Sequence, residues 1–341
     1  MRTIDWNSEN NTIIMVDQTL LPVKYKLIEC SSIECLCEAI SSLRVRGAPA
    51  IGAAGGFGIA LAGVLSHARS MEALVNELKQ AGDMIISTRP TAVNLAWAVN
   101  RVLNATTDAY NLESIRDIVL HEALAIADED AKLNKKIGIN GAKLLKDGDT
   151  VMTYCNAGRL ACVDWGTALG VIRSAVEMGK EIQVIACETR PLNQGGRITT
   201  LELMEDKIPV TLITDSMSAH VMRCKKVDCV IVGADRITQD AVFNKIGTYT
   251  LSIVANEHDI PFYVAAPVST FDFINMENDI EIELRNPDEM RFMAGTQIAP
   301  LDVNVYNPAF DATPMGYVSA LITENGIFKP PLLLEEVTLN H

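Results

Sequence analysis

Basic residues are scarce in this chain of 341 residues: 29 lysines and arginines face 43 aspartates and glutamates, a formal net charge of −14. The deficit argues against a nucleic-acid surface and against docking on an anionic membrane, because either needs a basic face. Any phosphate recognised here has to be met by a local cluster of charge. Metal-ligand spacings are missing as well. Cys30, Cys35 and Cys37 lie close together and Cys224 and Cys229 form a near pair, but neither group has the C-x-x-C spacing of a zinc half-site. The five histidines are scattered. A dinucleotide fingerprint is not completed either. The GFG at 56–58 lacks a third glycine at the right spacing, and no strand leads into it, so no nicotinamide cofactor is expected. The expectation is a protein with neither metal nor cofactor.

No secretory leader is apparent before Asp5, and the eight cysteines are unevenly spaced, which reads as free thiols in a reducing cytoplasm. Ala48 to Ser66 carries no charge and approaches the ~20 residues of a membrane span. Its apolar content is mainly alanine and glycine, however, and amphipathic segments flank it. A helix buried among other helices is the better reading.

What is present divides in two. The length exceeds the ~100–200 residues usual for one domain, and 48% hydrophobic content is ample for a core. Residues 1–125 read as a mixed, mostly helical domain and 126–341 as an α/β domain. Within 4–28 the runs TIIMV and VKYKLI, separated by a turn at Leu21 and Pro22, predict a small antiparallel sheet. Ser31 and Glu34 form a capping-box pattern opening a helix through Ile40 and Leu43. Arg44 and Arg46 then precede Gly47, Ala48 and Pro49. A proline just inside a helix start leaves N–H groups free to face a ligand, although the arginines read equally well as solvated caps. Met71 to Ile86 continue as an amphipathic helix, and Arg89, held extended by Pro90, projects from a helix junction. Helical patterns at Thr91 to Leu103 and Leu112 to Leu145 complete the first domain.

From Gly148 strands alternate with helices. Val151 to Tyr154, Ile182 to Ala186, Val210 to Ile213, Val227 to Val232 and Phe262 to Ala265 are the strands, the signature of a doubly wound parallel sheet. Just beyond their carboxyl ends stand Cys155 and Asn156, then Cys187, Glu188 and Arg190, then Asp215, then Asp235 and Arg236, and then Pro267. Ligands bind at that edge of such a sheet, so this concentration marks a site. Cys155 is the leading proton-transfer thiol, with Cys162 and Cys187 as rivals. Asp235 acts as a general acid only if burial keeps it protonated; beside Arg236 or Lys245 it is equally an ion-pair partner. Gln194 suits a sugar hydroxyl. Asn244 and Lys245 are read as opening a helix, where free N–H groups, an amide and an ammonium make an anion seat.

The blocks RVRGAPAIG, TRPTAVNLAWA, TYCNAG, GTALGVIRSA, ACETRPLNQGGR, VGADR and NKIGTYTLS together closely resemble the methylthioribose-1-phosphate isomerases. That family shares a superfamily with the regulatory subunits of translation initiation factor 2B, and the resemblance covers almost the whole chain after about residue 40. It implies an aldose–ketose isomerase of methionine salvage: a small N-terminal domain, a Rossmann-like C-terminal domain without dinucleotide, and a homodimer. It further implies Cys155 and Asp235 as the catalytic pair, with Arg46, Gly47, Ala48, Arg89, Gln194, Asn244 and Lys245 binding substrate. Arg159, Trp165 and the pair Leu192-Asn193 depart from the usual residues of the family. Arg159 adds positive charge near the thiol, which opens a second reading in which the sugar is another 5-substituted ribose 1-phosphate, deoxygenated or phosphorylated at C5. A third reading, of a different class, is a noncatalytic regulatory subunit.

Overall fold

The computed structural model describes residues 2–331 and 334–338, and the chain divides into two compact units. One comprises 1–135 together with 158–166, the other 136–157 and 167–341. The first unit begins with an antiparallel sheet, β1 (Ile4–Asn7), β2 (Thr12–Val16) and β3 (Leu27–Cys30), in that order. The run TIIMV is β2 itself. Of VKYKLI only Leu27 and Ile28 join a strand, because Val23 points into solvent and its neighbours pair with nothing in the sheet.

Helix α1 (Ile33–Ser41) is capped by Ser32, whose Oγ accepts from the Cys35 N–H at 3.2 Å; the cap is one residue later than the Ser31 pattern predicted. The helix also stops earlier than expected, since Leu43 takes a left-handed φ of 61° that no helix interior accommodates. Helix α2 (Ala48–Leu65) carries the uncharged run, and it is a core helix: 14 of its 18 residues, from Ala50 through Gly63, are buried. It lies against α1, α3 (Met71–Ser87) and α4 (Val93–Ala105). Small residues permit that approach. A Cβ on Gly58 would come within 2.5 Å of Ile85 and 2.7 Å of Leu36. The long helix α5 (Leu112–Ala142) starts in the first unit and ends in the second.

The second unit is built on a seven-stranded sheet, and all five predicted strands are in it. They are β4 (Thr150–Thr153), β5 (Gln183–Cys187), β6 (Val210–Ile213), β7 (Cys229–Val232) and, farther along the chain, Phe262–Ala265. Strand β7 starts two residues later than the apolar run. Between it and Phe262–Ala265 the chain adds β8 (Arg236–Ile237) and β9 (Ala241–Lys245), so Phe262–Ala265 is β10. A short hairpin follows, β11 (Phe292–Met293) with β12 (Thr296–Gln297). Then β13 (Phe310–Pro314) pairs with β9, and β14 (Ala320–Thr323) and β15 (Gly326–Phe328) complete the main sheet. Helices α6 (Ala168–Glu177), α7 (Thr200–Glu205), α8 (Ser218–Arg223) and α9 (Thr248–Glu257) lie between strands, with a single turn, α10 (Asp288–Arg291), beyond them.

The spatial order is β15-β14-β10-β7-β4-β5-β6, parallel except for β15. From β4 the chain steps outward through β5 and β6. It then returns across the sheet to β7 and steps the other way through β10 and β14. The direction reverses between β4 and β7, and at such a switch point the diverging loops leave a crevice beyond the carboxyl ends.

Candidate active site

Cys155 and Asp235 follow the two strands that flank this crevice. In the register Val151 sits beside Cys229 and Met152 beside Val230, and the Thr153 hydroxyl donates to the Ile231 carbonyl at 2.8 Å. Neighbouring strands run about 4.8 Å apart, so the loops after Thr153 and Val232 emerge side by side. The two loops pack closely: a Cβ at Gly233 would stand 2.7 Å from the Ala157 methyl.

Cys155 itself is held in an unusual conformation, with a left-handed φ of 61°. Such a conformation costs a non-glycine residue of order 1 kcal/mol or more, and here both of its peptide groups are tied down. Its N–H donates to Thr189 Oγ1 at 2.8 Å, and its carbonyl accepts from Thr199 Oγ1 at 2.7 Å. Thr189 is also left-handed, at φ 68°, and is fixed by Asp215, whose two carboxylate oxygens accept from the N–H groups of Thr189 and Arg190 at 2.7 Å each. Behind the thiol, Asn156 donates to Glu202 at 3.0 Å and Glu202 accepts from Arg173 at 2.8 Å, all three buried. A buried carboxylate with two such partners is stable in place and rigid. The rival thiols are enclosed. Cys187 is the last residue of β5, and burial pushes its thiol up to about 12; Cys162 is 1% exposed. Cys155 is half-buried, so among the three it has access to a ligand.

Asp235 lies between β7 and β8, its N–H donating to the Phe243 carbonyl at 2.8 Å. Arg236, one of its two expected partners, reaches Asp272 at 2.8 Å. The other, Lys245, is only 5% exposed. Burial drives its ammonium below the ordinary lysine range, while Cys155, Glu289 and Asp235 pull it back up and Arg285 pushes it further down. Thiol and carboxyl therefore both favour the charged form of this buried lysine. The Lys245 Nζ donates to the Ala309 carbonyl at 3.1 Å. An ammonium carries three N–H donors, which leaves capacity for a ligand.

Asn244 and Lys245 do not open a helix as the sequence suggested; they close β9. The start of α9 is not a free anion seat either. Asp311, opposite Asn244 on β13, accepts from the N–H groups of Gly247 at 2.7 Å and Tyr249 at 3.1 Å. A carboxylate already sits where an anion was expected, complementing the helix dipole. Burial raises Asp311 from 3.8 to about 6. The native state then binds a proton that the unfolded chain has released, so this residue's contribution to stability is full below about pH 3.8 and lost as pH rises through about 6. Urea midpoints from pH 4 to pH 7 check this. The decline across that window is expected to flatten in Asp311→Asn.

Gln194 lies where the chain turns from β5 into a π-helical turn, Gly195–Thr199, a form of helix that recurs at functional sites. Its side chain is 6% exposed, and its Oε1 meets no partner among the described residues. Leaving a buried acceptor unsatisfied costs about 1–3 kcal/mol, a cost that a ligand hydroxyl would remove.

Arg46, Gly47, Ala48 and Arg89 belong to the first unit. Arg46 is buried, 8% exposed, which overturns its reading as a solvated cap. Arg44 lies beyond Ser42, the C-cap of α1, and pairs with Asp17 and Glu38. Gly47 precedes α2 with φ 92°, and a Cβ there would lie 2.4 Å from the Ala161 carbonyl oxygen and 2.5 Å from its Cα. Gly47→Ala is expected to cost about 3 kcal/mol through strain in a region that only glycine enters freely, read as a fall in melting temperature. Arg89 stands at the turn between α3 and α4, its N–H donating to Ile86. Thr189, Thr199 and Asp311 were not legible as site residues. Thr189 and Thr199 act through backbone bonds, and Asp311 sits on a strand outside the helix–strand alternation.

Comparison with known proteins gives four matches. The model of the initiation factor 2 subunit family matches residues 44–330. A "putative methylthioribose-1-phosphate isomerase" of Methanosarcina acetivorans is 66% identical over 337 residues, covering 99% of this chain and 97% of the relative. Among solved structures, 5-methylthioribose 1-phosphate isomerase from Pyrococcus horikoshii superposes with a TM-score of 0.91 at 42% identity, over 99% of this chain and 95% of the other. A structure from Archaeoglobus fulgidus described as translation initiation factor eIF-2B, subunit delta, superposes with a TM-score of 0.88 at 56% identity, over 99% of both chains.

Proposed function

Because this chain belongs to the initiation factor 2 subunit family, we infer from its site that it is the catalytic kind of member, a methylthioribose-1-phosphate isomerase. It converts 5-methylthioribose 1-phosphate into 5-methylthioribulose 1-phosphate in methionine salvage. The observation that carries this reading is that Cys155 and Asp235 stand just beyond the carboxyl ends of the neighbouring strands β4 and β7, at the switch point of the sheet. A noncatalytic subunit needs neither the thiol nor the acid.

The substrate explains the residue types. Its anomeric carbon is locked as a glycosyl phosphate, so no free aldehyde can form; with the phosphate retained, an acid that protonates the departing ring oxygen opens the ring and leaves an oxocarbenium-like C1. We assign that role to Asp235. A hydrogen then moves from C2 to C1. In an enolisation Cys155 takes the proton from C2; in a hydride shift it takes the proton from the C2 hydroxyl as that carbon becomes a carbonyl. Cys155 and Ala234 pack against the apolar cluster around Tyr154, Ile237 and Leu251. Surroundings that exclude water protect a cation-like intermediate and favour the hydride route. Deuterium placed at C2 is then expected at C1 of the product, whereas its loss to solvent would reject that route.

Lys245 and Asn244 are assigned to the substrate's anionic and hydroxyl groups, and Gln194 to a sugar hydroxyl. The motifs RGA and TRPT assign Arg46, Gly47, Ala48 and Arg89 to substrate binding as well. The family resemblance supports a homodimer in the cytoplasm, and the net charge of −14 speaks against nucleic-acid or membrane partners. The reading is tested by comparing turnover of the methylthio, 5-deoxy and 5-phospho ribose 1-phosphates by the purified protein. The methylthio sugar is expected to give the highest kcat/KM. Preference for the phosphorylated sugar would move the assignment to a bisphosphate and direct attention to Arg159.

A further inference from the structure

The cysteines at 30, 35 and 37 take no part in the proposed isomerisation, yet two of them are in contact. Cys30 is the last residue of β3, paired with Ile13 and fully buried. Cys35 lies in the first turn of α1, partly exposed, with its N–H held by the Ser32 cap. Their Sγ atoms are 3.0 Å apart. A disulfide requires about 2.05 Å, so bonding needs a closure of about 1 Å between a strand end and a helix start only five residues apart in sequence.

We propose that Cys30 and Cys35 form a reversible intramolecular disulfide by exchange with a low-molecular-weight disulfide. Cys35 is the entry point, since Cys30 has no exposed surface and burial pushes its thiol up. The Cys35 thiolate attacks the small disulfide, forming a mixed disulfide and releasing one small thiol. The Cys30 thiolate then attacks the Cys35 sulfur and releases the second. Two protein thiols are oxidised, two protons leave, and the small disulfide is reduced to two thiols. Cys37 is excluded as the partner of Cys35 because residues two apart on a helix point in different directions. In a reducing compartment such a bond is transient and follows the thiol pool.

The test uses the full chain. The protein is incubated with oxidised glutathione, remaining thiols are blocked with iodoacetamide, and the tryptic peptide 27–44, which carries all three cysteines, is weighed and fragmented. The expected product is two hydrogens lighter than the reduced peptide, alkylated only at Cys37, and restored by dithiothreitol. Cys30→Ser is expected to retain glutathione on Cys35, since the resolving thiol is gone, with its fold checked by circular dichroism. Cys35→Ser, at a partly exposed position, is expected to leave Cys30 a free thiol, alkylated after unfolding. Three alkylated cysteines under conditions that modify exposed Cys224, a bond to Cys37, or glutathione persisting on Cys35 in the unsubstituted protein would overturn the proposal.

Discussion

Cys155→Ala is expected to lower kcat about a thousandfold, within the ~10²–10⁴ that a positioned proton-transfer group contributes. The melting temperature should barely move. What anchors this residue is its backbone: the N–H bonded to Thr189 and the carbonyl bonded to Thr199 survive the substitution, and the half-buried side chain leaves little cavity. Alanine also tolerates the left-handed φ as well as cysteine does. The loss should fall on kcat and not on KM, because a group that acts only as the hydrogen moves adds little to ground-state binding. Rates of product formation, measured alongside circular dichroism, separate this from a folding defect.

Asp235→Asn is expected to have an effect of the same order, for a different reason. The amide preserves shape, and the N–H bond from residue 235 to the Phe243 carbonyl is untouched. It has no proton to give the ring oxygen, so opening of the sugar stalls before hydrogen transfer begins. One limb of the kcat/KM pH profile should disappear with it. On the proposed assignment the two residues serve successive events in one turnover, so the double variant should be scarcely slower than the slower single one. A multiplied loss would mean that they act independently.

The parallel sheet was legible because its central strands β4 and β7 are short, largely buried runs rich in β-branched residues, and the predicted bounds Val210–Ile213, at the sheet edge, and Phe262–Ala265 match the strands to the residue. The positions of Cys155 and Asp235 just past β4 and β7 were legible for the related reason that a polar side chain stands out where an apolar run stops. The strands β8, β9 and β13 were not. VFNK mixes apolar and polar side chains over only a few residues, and its partner lies more than sixty residues away, so pairing is what makes it a strand. That same long-range pairing brings Asp311 to the start of α9, and no local pattern signals it. Ser32 rather than Ser31 became the cap because two adjacent serines offer the same chemistry, and the register of β3 decides between them.

The central claim is that one sugar phosphate is held between the side chains of residues 155 and 235. The most direct test is the rate at which iodoacetamide alkylates Cys155 in the Asp235→Asn variant, which is expected to bind 5-methylthioribose 1-phosphate without consuming it. Saturating substrate should slow that alkylation at least tenfold and leave exposed Cys224 reacting as before. An alkylation rate at Cys155 that does not change with substrate, in a variant shown to bind it, would contradict the claim.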